Sequence, residues 1–313
     1  IKSASFSPTE KSKLINLFKQ DYLITYQSLK GIFSENEYDL CYVFNGRYAY
    51  TKAVSNLAHK YAIEIRYHDK AVRALNTIDI TRVPVCNLIN YKKTIIRKWN
   101  KVLISRDREK LIKNAKRWFE NRFKEYKIGP KSYSYKEEIK TTLENHSYVN
   151  KEFFNFSFFC NSPDEFLWVG KTQYPRRGWD EPIAAILDIV SIARSVNLKF
   201  KMTVRIHPNL ETKDSLDSQS IELLSEIEEV NVIPSSSKLS SYAIVKKSDV
   251  VFTVGSTIGI ESVYLGVPSV LMSTAIYEDL NSTINIFNRS HLKRFMIGIR
   301  DDPSKELTIP THD

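Results

Sequence analysis

The sequence predicts an α/β protein of two Rossmann-like domains with a cleft between them, and three observations carry that expectation. Its 313 residues, 42% apolar and 12% aromatic, are long for one hydrophobic core and sufficient for two. Along most of the chain, short apolar runs bounded by turn residues alternate with segments of helical period. One such alternation, residues 248–268 (SDVVFTVGSTIGIESVYLGVP), reads as a buried strand, a glycine-serine-threonine turn and a helix.

Taken in order, Leu14, Leu17, Phe18 and Leu29 mark a helix over residues 10–30, and DLCYVF at 39–44 is a short strand that stops at the turn Asn45-Gly46-Arg47. A helical pattern from Tyr48 to Tyr61 and a strand at 62–67 (AIEIRY) complete a β-loop-α-β unit, the building block of a parallel sheet. A domain of this kind normally opens on a strand, yet none is evident before Asp39, as expected if the chain begins inside its first domain or lacks segments. Residues 141–155 are polar and aperiodic, which places a domain boundary near 152 and divides the chain into 1–152 and 153–313. Beyond it, after the aromatic strand NFSFF, helices are expected at 182–195, 218–229, 239–247 and 257–265, and strands at 200–206, 230–233, 249–254 and 268–272. That alternation implies a doubly wound parallel sheet whose right-handed crossovers gather the post-strand loops at one carboxyl edge, where ligands bind.

Charge is unevenly placed. Residues 92–140 hold 17 Lys/Arg against 6 Asp/Glu, so that with a formal charge of +10 the remainder sums to about −1. Leu111, Ala115, Trp118, Phe119 and Phe123 recur there at helical spacing between the basic residues, an amphipathic helix. A solvated basic face is one reading. Peripheral contact with an anionic membrane, or with a lipid-pyrophosphate-linked acceptor, is the other. Nucleic acid is not an expected partner, because the aromatics fall on the apolar side of the helix and form no exposed stacking surface. No run of 18 uncharged apolar residues and no signal-like N-terminus occurs, so a cytoplasmic chain, peripheral at the inner face of the membrane, is expected. Cys41, Cys86 and Cys160 are odd in number and far apart, which argues against a disulfide framework or structural zinc.

Three constellations carry chemistry. At Gly255-Ser256-Thr257 the helix start offers backbone N–H groups, its dipole and two hydroxyls to a phosphate, with Gly259 in the first turn and Glu261 one turn in, placed for a ribose hydroxyl. The plainer alternative is a β-α-β unit in which Ser256 and Thr257 only cap the helix. Arg205-Ile206-His207-Pro208 follows a strand and can set a fixed charge and a switchable donor beside a leaving phosphate, or form a simple turn. Cys160-Asn161-Ser162-Pro163-Asp164-Glu165 follows the first strand of the second domain, where Asp164 or Glu165 could touch an acceptor, act as a base or cap a helix. In the first domain, Asp69, His68 and Glu64 are base candidates, Asp69 foremost because it is expected past the strand end; the alternative is a surface turn.

The order of FF-x-x-S-x-DE at Phe158–Glu165, RIHP at Arg205–Pro208, S-Y-x-I-x-x-x-S-D-V-V at Ser241–Val251 and GST-x-GIE-x-x-x-x-G-x-P at Gly255–Pro268 resembles the bacterial capsule and lipopolysaccharide biosynthesis glycosyltransferases of the GT-B fold. DLCYVFNGR followed by a helix and AIEIRYHD resembles their N-terminal domain. The resemblance implies a nucleotide-sugar donor on the second domain, with Ser256, Thr257 and His207 around its phosphates and Glu261 near its ribose. It also implies a glycan or lipid-linked acceptor over the first domain, at Asn45, Gly46 and Arg47. No cofactor or metal is implied, and the chain has no DxD triplet. Departures are Asn161-Ser162-Pro163 before the acidic pair, a polar insert with Arg176 and Arg177, and a C-terminal end without a clear long helix. Rival activities are transfer of a polyol phosphate from a cytidine-activated donor, sugar-nucleotide 2-epimerisation, and a non-catalytic nucleotide-sugar-binding subunit.

Overall fold

The structure, a computed structural model, describes residues 7–70, 78–85, 87–123, 152–161, 175–207 and 218–309. They fall into two compact units, one ending at Tyr91 and the other beginning at Lys92.

The first unit opens on helix α1, Pro8–Glu35, started by a reciprocal cap: Glu10 N donates to the Ser7 hydroxyl (3.3 Å) and Ser7 N donates to the Glu10 carboxylate (2.8 Å). Strands β1 (Leu40–Phe44) and β2 (Glu64–Lys70) run parallel, in register from Leu40↔Glu64 to Phe44↔His68, joined through helix α2, Ala49–Lys60. Val43, Ile63, Ile65 and Tyr67 pack with Ala58 of α2, and α2 in turn packs along α1. The sheet ends in an antiparallel strand the sequence reading does not include, β3, Ile78–Thr81, paired from Tyr67↔Thr81 to Lys70↔Ile78. This pairing extends β2 beyond β1. Asp69 therefore lies within β2, opposite Asp79, and not past the strand end as expected.

Lys92 lies in helix α3, Leu88–Leu103, which a turn at residues 104–107 separates from helix α4, Arg108–Phe123. The expected amphipathic segment is thus two helices, and its residues from 124 lie outside the described ones. Next come β4 (Phe154–Phe159), α5 (Pro182–Ser195), β5 (Phe200–Arg205), α6 (Ser218–Ser225) and β6 (Val230–Ile233). They are followed by α7 (Ser241–Lys246), β7 (Val250–Thr253), α8 (Ile258–Tyr264), β8 (Ser269–Leu271), a single 3₁₀ turn (Glu278–Leu280), β9 (Ile284–Asn285), α9 (Arg289–Asp301) and α10 (Pro303–Glu306).

The six strands form one parallel sheet in the order β6-β5-β4-β7-β8-β9. Side-chain alternation dresses both faces. On one, Phe156, Phe158, Val204 and Phe252 meet Ile186 and Ile189 of α5 and Leu292 and Met296 of α9. On the other, Phe159 and Val251 meet Tyr242 of α7 and Ile258 of α8, with Phe123 of α4 packed alongside. Burial on both sides is why these strands read as continuous apolar runs and not as alternating ones. No helix among the described residues is long and apolar enough to cross a membrane.

Candidate functional site

Counted from β4, the strand order of the second unit is 3-2-1-4-5-6, the dinucleotide-fold order, which reverses between β4 and β7. Connections leave these two neighbours in opposite directions, opening the sheet's carboxyl edge between them. Two loops flank that point: Cys160 and Asn161 after β4, and Val254 to Thr257 after β7. They are tied across it, the Asn161 side-chain amide donating to the Val254 carbonyl at 3.2 Å. The Asn161 amide oxygen is buried and finds no partner among the described residues. Thr253 closes the arrangement from below, its hydroxyl accepting from Ser256 N (2.9 Å) and donating to the Phe159 carbonyl at the end of β4 (3.2 Å).

The turn itself depends on two glycines. Gly255 sits at φ 111°, a backbone conformation that L side chains rarely adopt, and a Cβ there would come within 3.0 Å of the Thr274 carbonyl in the loop after β8. Gly259 permits close packing of α8 on the sheet: a Cβ would lie 2.6 Å from the Tyr277 hydroxyl and 3.0 Å from Thr253 Cγ2. Gly259 is buried, and its lack of a side chain lets the helix start sit low on the sheet. Tyr277 donates to the Ser256 carbonyl at 2.6 Å, holding the turn from the side of β8.

The hydroxyls are only lightly used. Thr257 is exposed and makes no capping hydrogen bond, and among the described residues Ser256 Oγ accepts only a long 3.5 Å contact from Ile258 N. Helix capping thus leaves both hydroxyls, at the start of α8, available to an anion.

Arg205 and Glu261, expected to bind the donor, are engaged elsewhere. Arg205, 2% exposed, donates through its guanidinium to the carbonyls of Pro234 and Ser237 (2.8 Å to the latter), clamping the loop after β6. Glu261, also 2% exposed, accepts from Arg122 Nε (2.8 Å) and from the Tyr242 hydroxyl (2.7 Å). Burial opposes the Arg122 charge, but Glu261 and Tyr242 together outweigh it and hold the guanidinium above its ordinary pKa; burial first, then the Glu261 charge, pushes the Tyr242 hydroxyl well up. The same contact zone carries Phe119 stacked on Tyr264 (centroids 4.2 Å) and Phe123 edge-on to Tyr242 (4.7 Å), so the end of α4 is bolted to α7 and α8. His207 follows β5 at the carboxyl edge, half-buried, while Pro208, Asp164 and Glu165 lie outside the described residues. Cys160, 2% exposed with its thiol pushed up to about 12 by burial, is unsuited to a nucleophile's role.

Beside the turn stands a cluster that the sequence reading does not assemble. Glu278, its side chain 1% exposed, accepts from Lys92 and from Arg177, and Lys92 also reaches Asp279 at 2.8 Å. The Arg177 guanidinium lies over the Phe287 ring, 4.7 Å from its centroid, and its backbone N–H donates to Thr274 Oγ1 at 2.8 Å. Arg177, weighed from sequence as phosphate-binding or solvated, is thereby fixed near the Gly255 turn while remaining half exposed.

In the first unit the expected acceptor and base residues do come together at the carboxyl edge. Asn45, at φ 59° and 2% exposed, donates its side-chain amide to Asp69 (2.5 Å), and its amide oxygen accepts from Arg47 Nε (2.6 Å). Gly46 turns the chain at φ 81°, and His68 packs its ring on Phe44, centroids 5.7 Å apart. Glu64, the first residue of β2, lies at the other end of that strand from this group and is paired with Arg66.

No family model and no curated protein matches the chain. Among solved structures it is similar to the KpsC β-Kdo 2,7 transferase of Thermosulfurimonas dismutans, at 12% identity and a TM-score of 0.48 over 91% of this chain and 82% of that one. It is also similar to the β-Kdo 2,4 transferase of the same organism's KpsC (12%, TM-score 0.47, 82% and 78%). A third similarity is to the UDP-GlcNAc 2-epimerase from Neisseria meningitidis bound to UDP-GlcNAc (13%, TM-score 0.35, 92% and 75%). None of these likenesses assigns a substrate to this chain.

Proposed function

We propose that this chain is a glycosyltransferase that takes a sugar from a nucleotide-sugar donor and passes it to a glycan or glycolipid acceptor of a bacterial surface polysaccharide. The observation that carries the reading is the uncapped Gly255-Ser256-Thr257 turn at the point where the strand order of the second sheet reverses. The donor's phosphates would meet the amides at the start of α8 and the hydroxyls of Ser256 and Thr257, with His207 on the same edge. Arg205 and Glu261 serve that edge by holding its loops and helices. On the acceptor side, Asn45 and Arg47 orient the Asp69 carboxylate. Asp69 takes the acceptor hydroxyl's proton, the oxygen bonds to the anomeric carbon, and the carbon–oxygen bond to the nucleotide breaks with its electron pair leaving on phosphate. The polysaccharide context follows from the motif order of residues 158–268 described above.

Mass spectrometry of reactions with a panel of nucleotide sugars and saccharide acceptors tests this. The expected product is an acceptor heavier by one sugar residue, with the nucleotide released. An acceptor heavier by a polyol phosphate, or a donor epimerised with no acceptor present, would overturn it.

A further inference from the structure

Helices α3 and α4 with the turn between them carry twelve Lys/Arg and three Asp/Glu from Lys92 to Phe123. Only two of those cations are committed to ion pairs among the described residues, Lys92 to Glu278 and Asp279 and Arg122 to Glu261. These two sit near the ends of the segment and fasten it to the second unit, aided by the stacking of Phe119 on Tyr264 and the packing of Phe123 on Tyr242. The stretch between the two fastenings therefore has a fixed support, and its other ten cations form no ion pair among the described residues.

The same stretch exposes aliphatic side chains that a soluble surface gains nothing by showing. Ile104, in the turn between the helices, is 86% exposed, Leu103 42% and Leu111 40%. Neither helix buries a side chain completely beyond Leu88, although α3 has a pronounced apolar stripe through Ile95, Ile96, Val102 and Leu103. Lys101, Arg106 and Arg108 flank the most exposed of these residues.

From this pairing of exposed aliphatics with a dense row of cations, ten of them outside any ion pair among the described residues, we infer that the α3–α4 segment is a docking surface for an anionic lipid bilayer. Cations draw the segment to acidic headgroups, and Leu103 and Ile104 enter the boundary between headgroups and acyl chains. Charge complementarity selects lipid over an acidic protein groove because the aliphatics cluster at a turn tip, where a flat, deformable surface can receive them. Trp99 and Trp118 are exposed too, at 36% and 43%, so the rings do not all lie covered on the apolar side as the sequence suggests. Nucleic acid fits less well because the most exposed large hydrophobic residue of the segment, Ile104 at the turn, is aliphatic and offers no ring for bases to stack upon. The inference rests on these two helices alone and stands apart from the proposed transferase reaction.

Sedimentation of the full chain with phosphatidylcholine vesicles, and with vesicles also containing phosphatidylglycerol, tests it. Binding is expected only to the anionic vesicles and is expected to weaken as added salt shortens the Debye length. Replacing Lys101, Arg106 and Arg108 by Gln lowers partitioning roughly tenfold or more, and Ile104→Asp lowers it at unchanged thermal stability. Removing the same charge elsewhere, through Lys199→Gln, Lys293→Gln and Arg294→Gln, leaves partitioning within about twofold of wild type, as expected for a screened contribution from distant charges. The inference is overturned by absence of binding to anionic vesicles, by equal loss in the two triple variants, or by full binding of the Ile104→Asp chain. It is equally overturned by tighter capture of single-stranded RNA at the same ionic strength, or by a dimer in light scattering that Ile104→Asp dissociates.

Discussion

On the proposed mechanism Asp69→Asn is expected to lower the rate of sugar transfer by about 10²–10⁴-fold and to leave the affinity for the nucleotide donor unchanged, measured by steady-state turnover beside direct nucleotide titration. The substitution is nearly isosteric, and asparagine's amide oxygen can still accept from the Asn45 side chain that now bonds Asp69 at 2.5 Å. The network that runs from Arg47 through Asn45 to position 69 is therefore retained, and only the capacity to take a proton is lost. Nucleotide affinity is independent because the Gly255–Thr257 turn belongs to the other compact unit. Unaltered turnover would remove Asp69 from the mechanism, whereas a parallel fall in donor affinity would make it part of the donor site.

Glu261→Ala carries the largest expected effect on stability, a loss of about 2–3 kcal/mol, or a fall of roughly 5–10 °C in the midpoint of thermal unfolding. The variant strands the Arg122 guanidinium, whose side chain is 25% exposed, and leaves the buried Tyr242 hydroxyl with no acceptor from this residue. Full burial of both charges would place the loss higher; the partial exposure of Arg122 lets water recover some of it. Because the triad joins α4 to α7 and α8, the variant also loosens α4, visible as faster amide exchange over residues 108–123. A stability change below about 0.5 kcal/mol would show that Arg122 and Tyr242 rehydrate freely and that the triad is incidental.

Periodicity and punctuation made most of the second unit legible. Helix α5 and strand β6 lie where the residue pattern puts them, because Pro182 opens one and the apolar run VNVI forms the other. Helix α9 is not among the expected elements: Leu292, Phe295, Met296 and Ile299 follow a 3.6-residue period, but the basic residues Lys293, Arg294 and Arg300 beside them obscure it. Strands β3 and β9, four and two residues long, are too short to show a period, and β3 changed the standing of Asp69 by prolonging β2. Partners were the least legible. Residue type and position suggest Glu261 and Arg205 as donor-binding side chains, but the arginine that binds Glu261 is 139 residues away, and the carbonyls that hold Arg205 come from another loop. Asn161, Thr253 and Tyr277 escaped for the same reason: each matters through a hydrogen bond across the sheet's edge, which one-dimensional spacing does not encode.

Hydrogen exchange of residues 253–261 with and without a saturating nucleotide sugar tests the central claim most directly. The account predicts that the amides of Thr257 and Ile258, at the start of α8, exchange more slowly in the presence of the donor, together with those beside Asn161, as phosphate occupies the helix start. Protection confined to other segments, with the Thr257 and Ile258 amides unchanged by a donor that demonstrably binds, would contradict it.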